Sequence, residues 1–132
     1  MVEPISAEYE RMAQQAKRLV ECAISGEIEL LTTHAVIAEV VYVTSKQAKF
    51  SATVNEIAAR LSAFVRFEGL KINDRSVVLE ALEIWRTSPS LGFVDALAAA
   101  YGRQPGIMLA TFDKGLEKVF GVTAWEFDNV SG

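Results

Sequence analysis

The run Leu91-Gly92-Phe93-Val94-Asp95-Ala96-Leu97-Ala98-Ala99-Ala100-Tyr101 is apolar on nearly every side of a helix, which places it at the centre of whatever fold the chain adopts. Ile107 to Phe112 follows closely as a short apolar run, ending at Asp113 and Lys114. Each half therefore holds one carboxylate in apolar company. An ionised carboxylate taken out of water costs several kcal/mol unless something positive meets it, so both acids need a partner. A helix from Asp95 to about Arg103 climbs roughly 12 Å. A strand from Ile107 to Phe112 returns roughly 17 Å. That path brings Asp113 back beside Asp95, where the two can share a partner.

The remaining segments follow the same alternation of helix and short apolar run. Between Ala7 and Ser25, the positions Met12, Ala16, Leu19, Val20, Ala23 and Ile24 recur at three and four. This predicts an amphipathic helix, with Ser6 as its N-cap and Gly26 ending it in the left-handed conformation. Glu29 to Thr32 reads as a short buried strand. Ala35 to Val43 stays open between two readings, because its β-branched content favours a strand while its unalternating apolar character suits a buried helix or a buried strand. Lys46 to Phe50 is loop-like, with Ser51 as a candidate cap, and Ile57, Leu61, Phe64 and Val65 mark a second amphipathic helix. After Gly69 come a strand at Leu70 to Ile72, Asn73 or Asp74 as a cap, and a helix facing inward through Val78, Leu82 and Trp85. That helix ends at Thr87 to Ser90. Beyond the central helix lie a strand at Ile107 to Ala110, a short helix from Lys114 to Phe120 and a last strand at Thr123 to Glu126. The order predicts a three-layer α/β/α fold around a mostly parallel central sheet, in one domain spanning residues 1–132.

With 132 residues of which 51% are hydrophobic and 23% charged, the chain can bury a full core and lies far from the polar regime of disordered chains. A single cysteine, Cys22, excludes a disulfide framework and a cysteine metal cluster and fits a reducing cytoplasm. No apolar run reaches the roughly 18 residues that would span a bilayer, so a soluble cytoplasmic protein with no membrane partner is expected. The formal charge of −4 argues against holding nucleic acid by bulk phosphate neutralisation. An acidic site still reaches a phosphodiester when divalent cations stand between the two sets of oxygens.

Three acids, Glu39, Asp95 and Asp113, are each isolated among apolar neighbours. Asp95 also suits a first-turn acid facing the helix dipole, Asp113 suits an N-cap for the helix from Lys114, and Glu39 suits a buried ion pair. A shared divalent cation accounts for all three at once, and hard oxygen ligands favour Mg²⁺ or Mn²⁺ over zinc. Thr111, two residues before Asp113, is placed to orient a water through its hydroxyl or serves only as a strand-end threonine. His34, the sole histidine, reads as a base, a ligand or a loop residue. Lys114, Arg103 and Arg86 are candidates to meet phosphates. No phosphate-binding glycine loop, G-x-S-x-G or Cys–His pair supports nucleophilic catalysis.

Gly26 to Thr33 running into Val36 to Tyr42, then Phe93 to Ala100, then Leu109 to Lys114 resemble, in this order and spacing, the PIN-domain ribonucleases and especially the VapC-type toxins of toxin–antitoxin modules. The resemblance covers nearly the whole chain. It implies that the Glu39 segment is a helix, that Glu39, Asp95 and Asp113 line an acidic pocket holding Mg²⁺ or Mn²⁺, and that Thr111 supports the pocket. It also implies endoribonuclease chemistry in which a metal-activated water attacks phosphorus, with RNA, a cognate VapB-type antitoxin and a second copy of the chain as partners. Members of that family open with a strand carrying Asp-x-Asn, whereas Met1-Val2-Glu3-Pro4-Ile5-Ser6 leads directly into a helix. The N-terminal strand and its Asp are therefore expected to be missing, leaving a gap in the sheet and an exposed edge that favours dimerisation. The alternative is a catalytically inactive PIN-like remnant that acts as an antitoxin-binding or dimerisation module. A receiver-type phosphoacceptor domain also clusters acids at strand ends, but the N-terminal acidic pair it needs is absent.

Overall fold

The computed structural model describes residues 4–46 and 52–127. In chain order these form α1 (Pro4–Ile24), β1 (Leu30–Thr32), α2 (His34–Lys46), α3 (Val54–Arg66), β2 (Leu70–Ile72), α4 (Arg75–Thr87), a 3-10 turn (Pro89–Leu91), α5 (Phe93–Gly102) and α6 (Lys114–Glu117). The fold is α/β and rich in helix, with a small parallel sheet in which β1 and β2 pair with Leu30, Leu31 and Thr32 opposite Leu70, Lys71 and Ile72.

Periodicity located the helices well, and local chemistry set their ends. Gly26 does take a positive φ of 83° after α1, where a Cβ would be strained. Helix α1 begins at Pro4, so Ser6 lies inside it and is not its cap. The open segment from Ala35 to Val43 is helical, because Ile37 and Val41, four apart, are the buried pair that fixes it against the core. Ser51 lies outside the described residues, and the cap of α3 is Thr53. Its hydroxyl accepts from the Glu56 N–H at 3.1 Å while the Glu56 carboxylate accepts from the Thr53 N–H at 3.4 Å, a reciprocal capping box. Asp74 precedes α4 in a left-handed conformation and makes no side-chain cap bond. Its carboxylate instead accepts from the Tyr101 hydroxyl at 2.7 Å, tying the start of α4 to the end of α5.

The core lies among the helices. Helix α5 packs chiefly on α4, and α4 in turn on α3. Val78, Ala81 and Leu82 of α4 and Ala96, Ala99 and Ala100 of α5 are completely buried. Their small side chains let the two helices approach closely, and Trp85 closes the end of the interface edge-to-face on Phe93, with ring centroids 6.4 Å apart.

Two expected strands shrink. Between Ile107 and Ala110, and between Thr123 and Glu126, the only pairing is a parallel bridge of Leu109 with Ala124. Leu109 accepts from the Trp125 N–H at 2.9 Å and donates to the Thr123 carbonyl at 2.8 Å. Parallel ladders gain little per residue without further strands beside them, which keeps this pair from extending. The helix after Asp113 likewise closes at Glu117, short of Phe120. Among the described residues β1 pairs only with β2, and Leu31 is left 76% exposed.

Two outcomes test this packing. Leu82→Ala is expected to cost about 2–5 kcal/mol and Thr53→Ala about 1 kcal/mol in urea unfolding. The hydrogen bond to Asp74 holds the Tyr101 phenol above its usual pKa. A group raised in the folded state contributes its stability in full below its unfolded pKa and loses it as the pH rises through the folded value. Tyr101→Phe should therefore weaken the protein at neutral pH and flatten the alkaline part of its stability profile above about pH 10.

Candidate active site

Asp113 closes the chain onto α6. Its Oδ1 accepts from the Gly115 N–H at 2.7 Å and from the Leu116 N–H at 3.4 Å, the N-cap role that its position suggests. The Thr111 hydroxyl oxygen accepts from the Asp113 N–H at 3.0 Å, so Thr111 fixes the backbone that presents the acid. Leu116 is buried behind them and anchors the turn.

Asp95 sits in the first turn of α5, half-buried between the buried Phe93 and Ala96. The field of the helix favours a negative charge there. Among the described residues no hydrogen bond or ion pair reaches its carboxylate. The segment after α5 does run back along the helix. A methyl placed on Gly102, at the end of α5, would stand 3.2 Å from the Leu109 Cβ, and one on Gly115 would stand 4.0 Å from Leu91, just before α5 begins. Asp95 and the Asp113 turn thus belong to the same end of α5.

Glu39 comes from α2, which packs on α5. Ala38, Val41, Tyr42 and Ser45 face the start of α5 across a groove shared with Trp85, Phe93 and Val94. Glu39 lies on a shallow surface of α2 with Val36, Val40 and Val43. It is exposed. The apolar run around it therefore does not bury it, and the buried ion pair considered for it has no place here. Among the described residues no polar or charged side chain is buried, so desolvation is not what constrains these acids.

The basic candidates are committed elsewhere. Arg103 reaches Glu80 at 2.9 Å and the Phe120 carbonyl at 2.6 Å, Lys114 pairs with Glu117 at 3.5 Å, and Arg86 pairs with Glu83, whose carboxyl it holds below the usual range. His34 opens α2 and meets Tyr101 edge-to-face at 6.3 Å.

One feature of the site escaped the sequence reading. Beside Thr111 opens a cleft of about 800 Å³ lined by Thr111, Phe112, Lys114, Glu117, Trp125 and Phe127 among others. Phe112 and Phe127 stack there with centroids 4.5 Å apart, and Phe112 is 84% exposed. The signal was present as alternation: with Leu109 and Thr111 turned inward, Ala110 and Phe112 must turn out.

A profile of the PIN domain family matches residues 6–121. The chain belongs to the PIN domain family. No curated protein and no solved structure gives a match. PIN domains are in general nucleases that bind RNA, often pair with antitoxins, and typically use divalent metals. Among the described residues of this PIN domain, no three His, Cys, Asp or Glu side chains stand close enough to hold an ion between them. The donors nevertheless suit Mg²⁺ or Mn²⁺, which take hard oxygens and are commonly held by one or two carboxylates together with substrate phosphates. Asp95, without a partner among the described residues, and the Asp113 oxygen outside its capping bonds fit that mode. They do not make a cage of protein ligands.

Because Asn caps as well as Asp, Asp113→Asn is expected to keep the stability of the PIN domain, whereas Asp113→Ala loses about 1 kcal/mol in thermal or urea unfolding.

Proposed function

We propose that this PIN domain is an endoribonuclease of the VapC toxin type that requires Mg²⁺ or Mn²⁺ and works in the cytoplasm. In this reading Glu39, Asp95 and Asp113 are the metal ligands and Thr111 supports Asp113. The observation that carries it is the half-buried Asp95, without a partner among the described residues, at the end of α5 to which the Asp113 turn returns, in a chain whose family is one of nucleases. When bound, a divalent cation supplies charge neutralisation at the phosphodiester and acidifies water. The chain's own part is to hold the two aspartates: α5 by its burial, α6 by the cap, and Thr111 by its bond to the backbone of Asp113. The open aromatic faces of Phe112 and Trp125 beside them suit unpaired bases, which favours single-stranded RNA. A VapB-type antitoxin and a second copy of the chain are the protein partners.

A second reading is favoured by one observation, that no ready-made set of three ligands exists among the described residues. It holds the chain to be a PIN-like module without catalysis, kept for binding an antitoxin or another copy. No described helix is long and apolar enough to cross a membrane.

Cleavage of a labelled single-stranded RNA separates the two. On the ribonuclease reading Mn²⁺ or Mg²⁺ supports cleavage, EDTA abolishes it, and Asp95→Asn, Asp113→Asn and Glu39→Gln each lower the rate on the order of 10²-fold or more, without loss of stability. Cleavage by Asp95→Asn at the wild-type rate would falsify the assignment. No cleavage by the wild-type chain with either metal selects the binding module.

A further inference from the structure

Single apolar side chains scattered over a surface need no explanation, but the cleft beside Thr111 gathers three aromatic residues. Phe112 is 84% exposed, Trp125 41% and Phe127 39%. Phe112 and Phe127 stack with their planes 21° apart, which covers one face of the Phe112 ring and leaves the other turned to water. Among the described residues Phe112 takes no part in the hydrophobic core. Core packing is therefore not what places its ring.

The backbone around Phe112 is nevertheless held on both sides. The bridge between Leu109 and Ala124 fixes the chain before it and brings Trp125 alongside. After it, the Asp113 N–H donates to the Thr111 hydroxyl at 3.0 Å and closes the turn. A backed aromatic face on a fixed backbone, open on its outer side, is a stacking platform.

The walls of the cleft select what stacks there. Half of the residues lining it are polar, among them Thr111, Lys114, Glu117 and Thr123. An apolar peptide segment seated on Phe112 would press those groups against a surface that offers them no hydrogen bond. A nucleobase presents a flat face to the ring and donors and acceptors along its edge. Charge points the same way: a formal charge of −4 argues against gripping a strand by its phosphates, so stacking has to supply the affinity. Position completes the argument. Phe112 and Asp113 are consecutive, with Cα atoms about 3.8 Å apart, and a base is joined to its phosphate through a single sugar. A base on Phe112 thus brings its own phosphate beside Asp113.

We infer that the open face of Phe112 seats one unpaired base, a purine in preference to a pyrimidine, next to the phosphodiester that is cut. The two fused rings of a purine cover more of the phenyl ring than the single ring of a pyrimidine. Phe112 is then a specificity-determining residue. The place of the cut rests on the ribonuclease reading, whereas the stacking does not.

Binding is measured by fluorescence anisotropy of labelled oligoadenylate and oligouridylate of about eight nucleotides, with EDTA present so that nothing is cleaved. The wild-type chain is expected to bind oligoadenylate several-fold more tightly than oligouridylate, and an RNA duplex of the same length more weakly than either. Phe112→Leu, which keeps an apolar side chain but removes the flat ring, should weaken oligoadenylate binding about tenfold and level the two oligomers. Phe112→Trp should restore both affinity and preference, and the unfolding midpoint should not move in either variant. With Mn²⁺, a single adenosine in a uridine run should direct the cut to its side, and Phe112→Leu should lower kcat/KM chiefly through KM. Oligoadenylate bound equally by wild type and Phe112→Leu overturns the proposal. So does a wild-type chain that binds neither oligomer, including one whose cleft is covered only by another protein. Binding that depends on Phe112 without cleavage in either metal leaves the base seat standing and removes the ribonuclease reading. Cleavage whose KM and base preference ignore Phe112→Leu removes the base seat alone.

Discussion

The contact between α4 and α5 is the constraint on which the rest of the chain depends. Ala96, Ala99 and Ala100 have no side chain to hold α5 away, so its backbone settles against Val78, Ala81 and Leu82 with no exposed surface left between them. Every other element is placed relative to that pair. Helix α3 packs on α4, α2 lies across the start of α5, and the chain after Gly102 runs back along α5.

This arrangement explains why the acids sit where they do without being buried. Asp95 is carried by the end of the most deeply embedded helix, so its position is rigid although its carboxylate reaches the surface. Asp113 is held by a different device, two backbone N–H groups of α6 and the hydroxyl of Thr111 behind it. A rigid helix end and a capped turn together provide preorganisation, which a nuclease needs, and they avoid the several kcal/mol that a sequestered carboxylate would cost. The aromatic cleft beside Asp113 belongs to the same turn, because the pairing of Leu109 that carries the chain back also turns Phe112 outward.

How far the fold was legible differed by element. The helices showed themselves through spacing: Ile57, Leu61 and Val65 fall on one side of α3, and Val78, Leu82 and Trp85 on one side of α4, as read. The segment from Ala35 to Val43 did not, since a run apolar at every position has no phase, and only the burial of Ile37 and Val41 resolved it as helix. Strands of three residues carry too few positions for alternation. Leu109 and Ala124 illustrate the limit, for one bridge formed where two strands were expected. Caps were off by two residues at Thr53, where the deciding partner, Glu56, lies on the helix side of the cap.

For the site, the capping of Asp113 and the first-turn place of Asp95 could be read from sequence, because both are set by residues within four positions of the acid. Local order along the chain was likewise enough to establish the helices other than α2 and to point to the family. The exposure of Glu39 and of Met12 and Leu19 on α1, and the outward stack of Phe112 on Phe127, were decided only by the tertiary structure. The physical reason is that burial is a property of what fills the space around a side chain. Those neighbours come from elsewhere in the chain, so an apolar flank in sequence says what a residue would tolerate and not what stands against it.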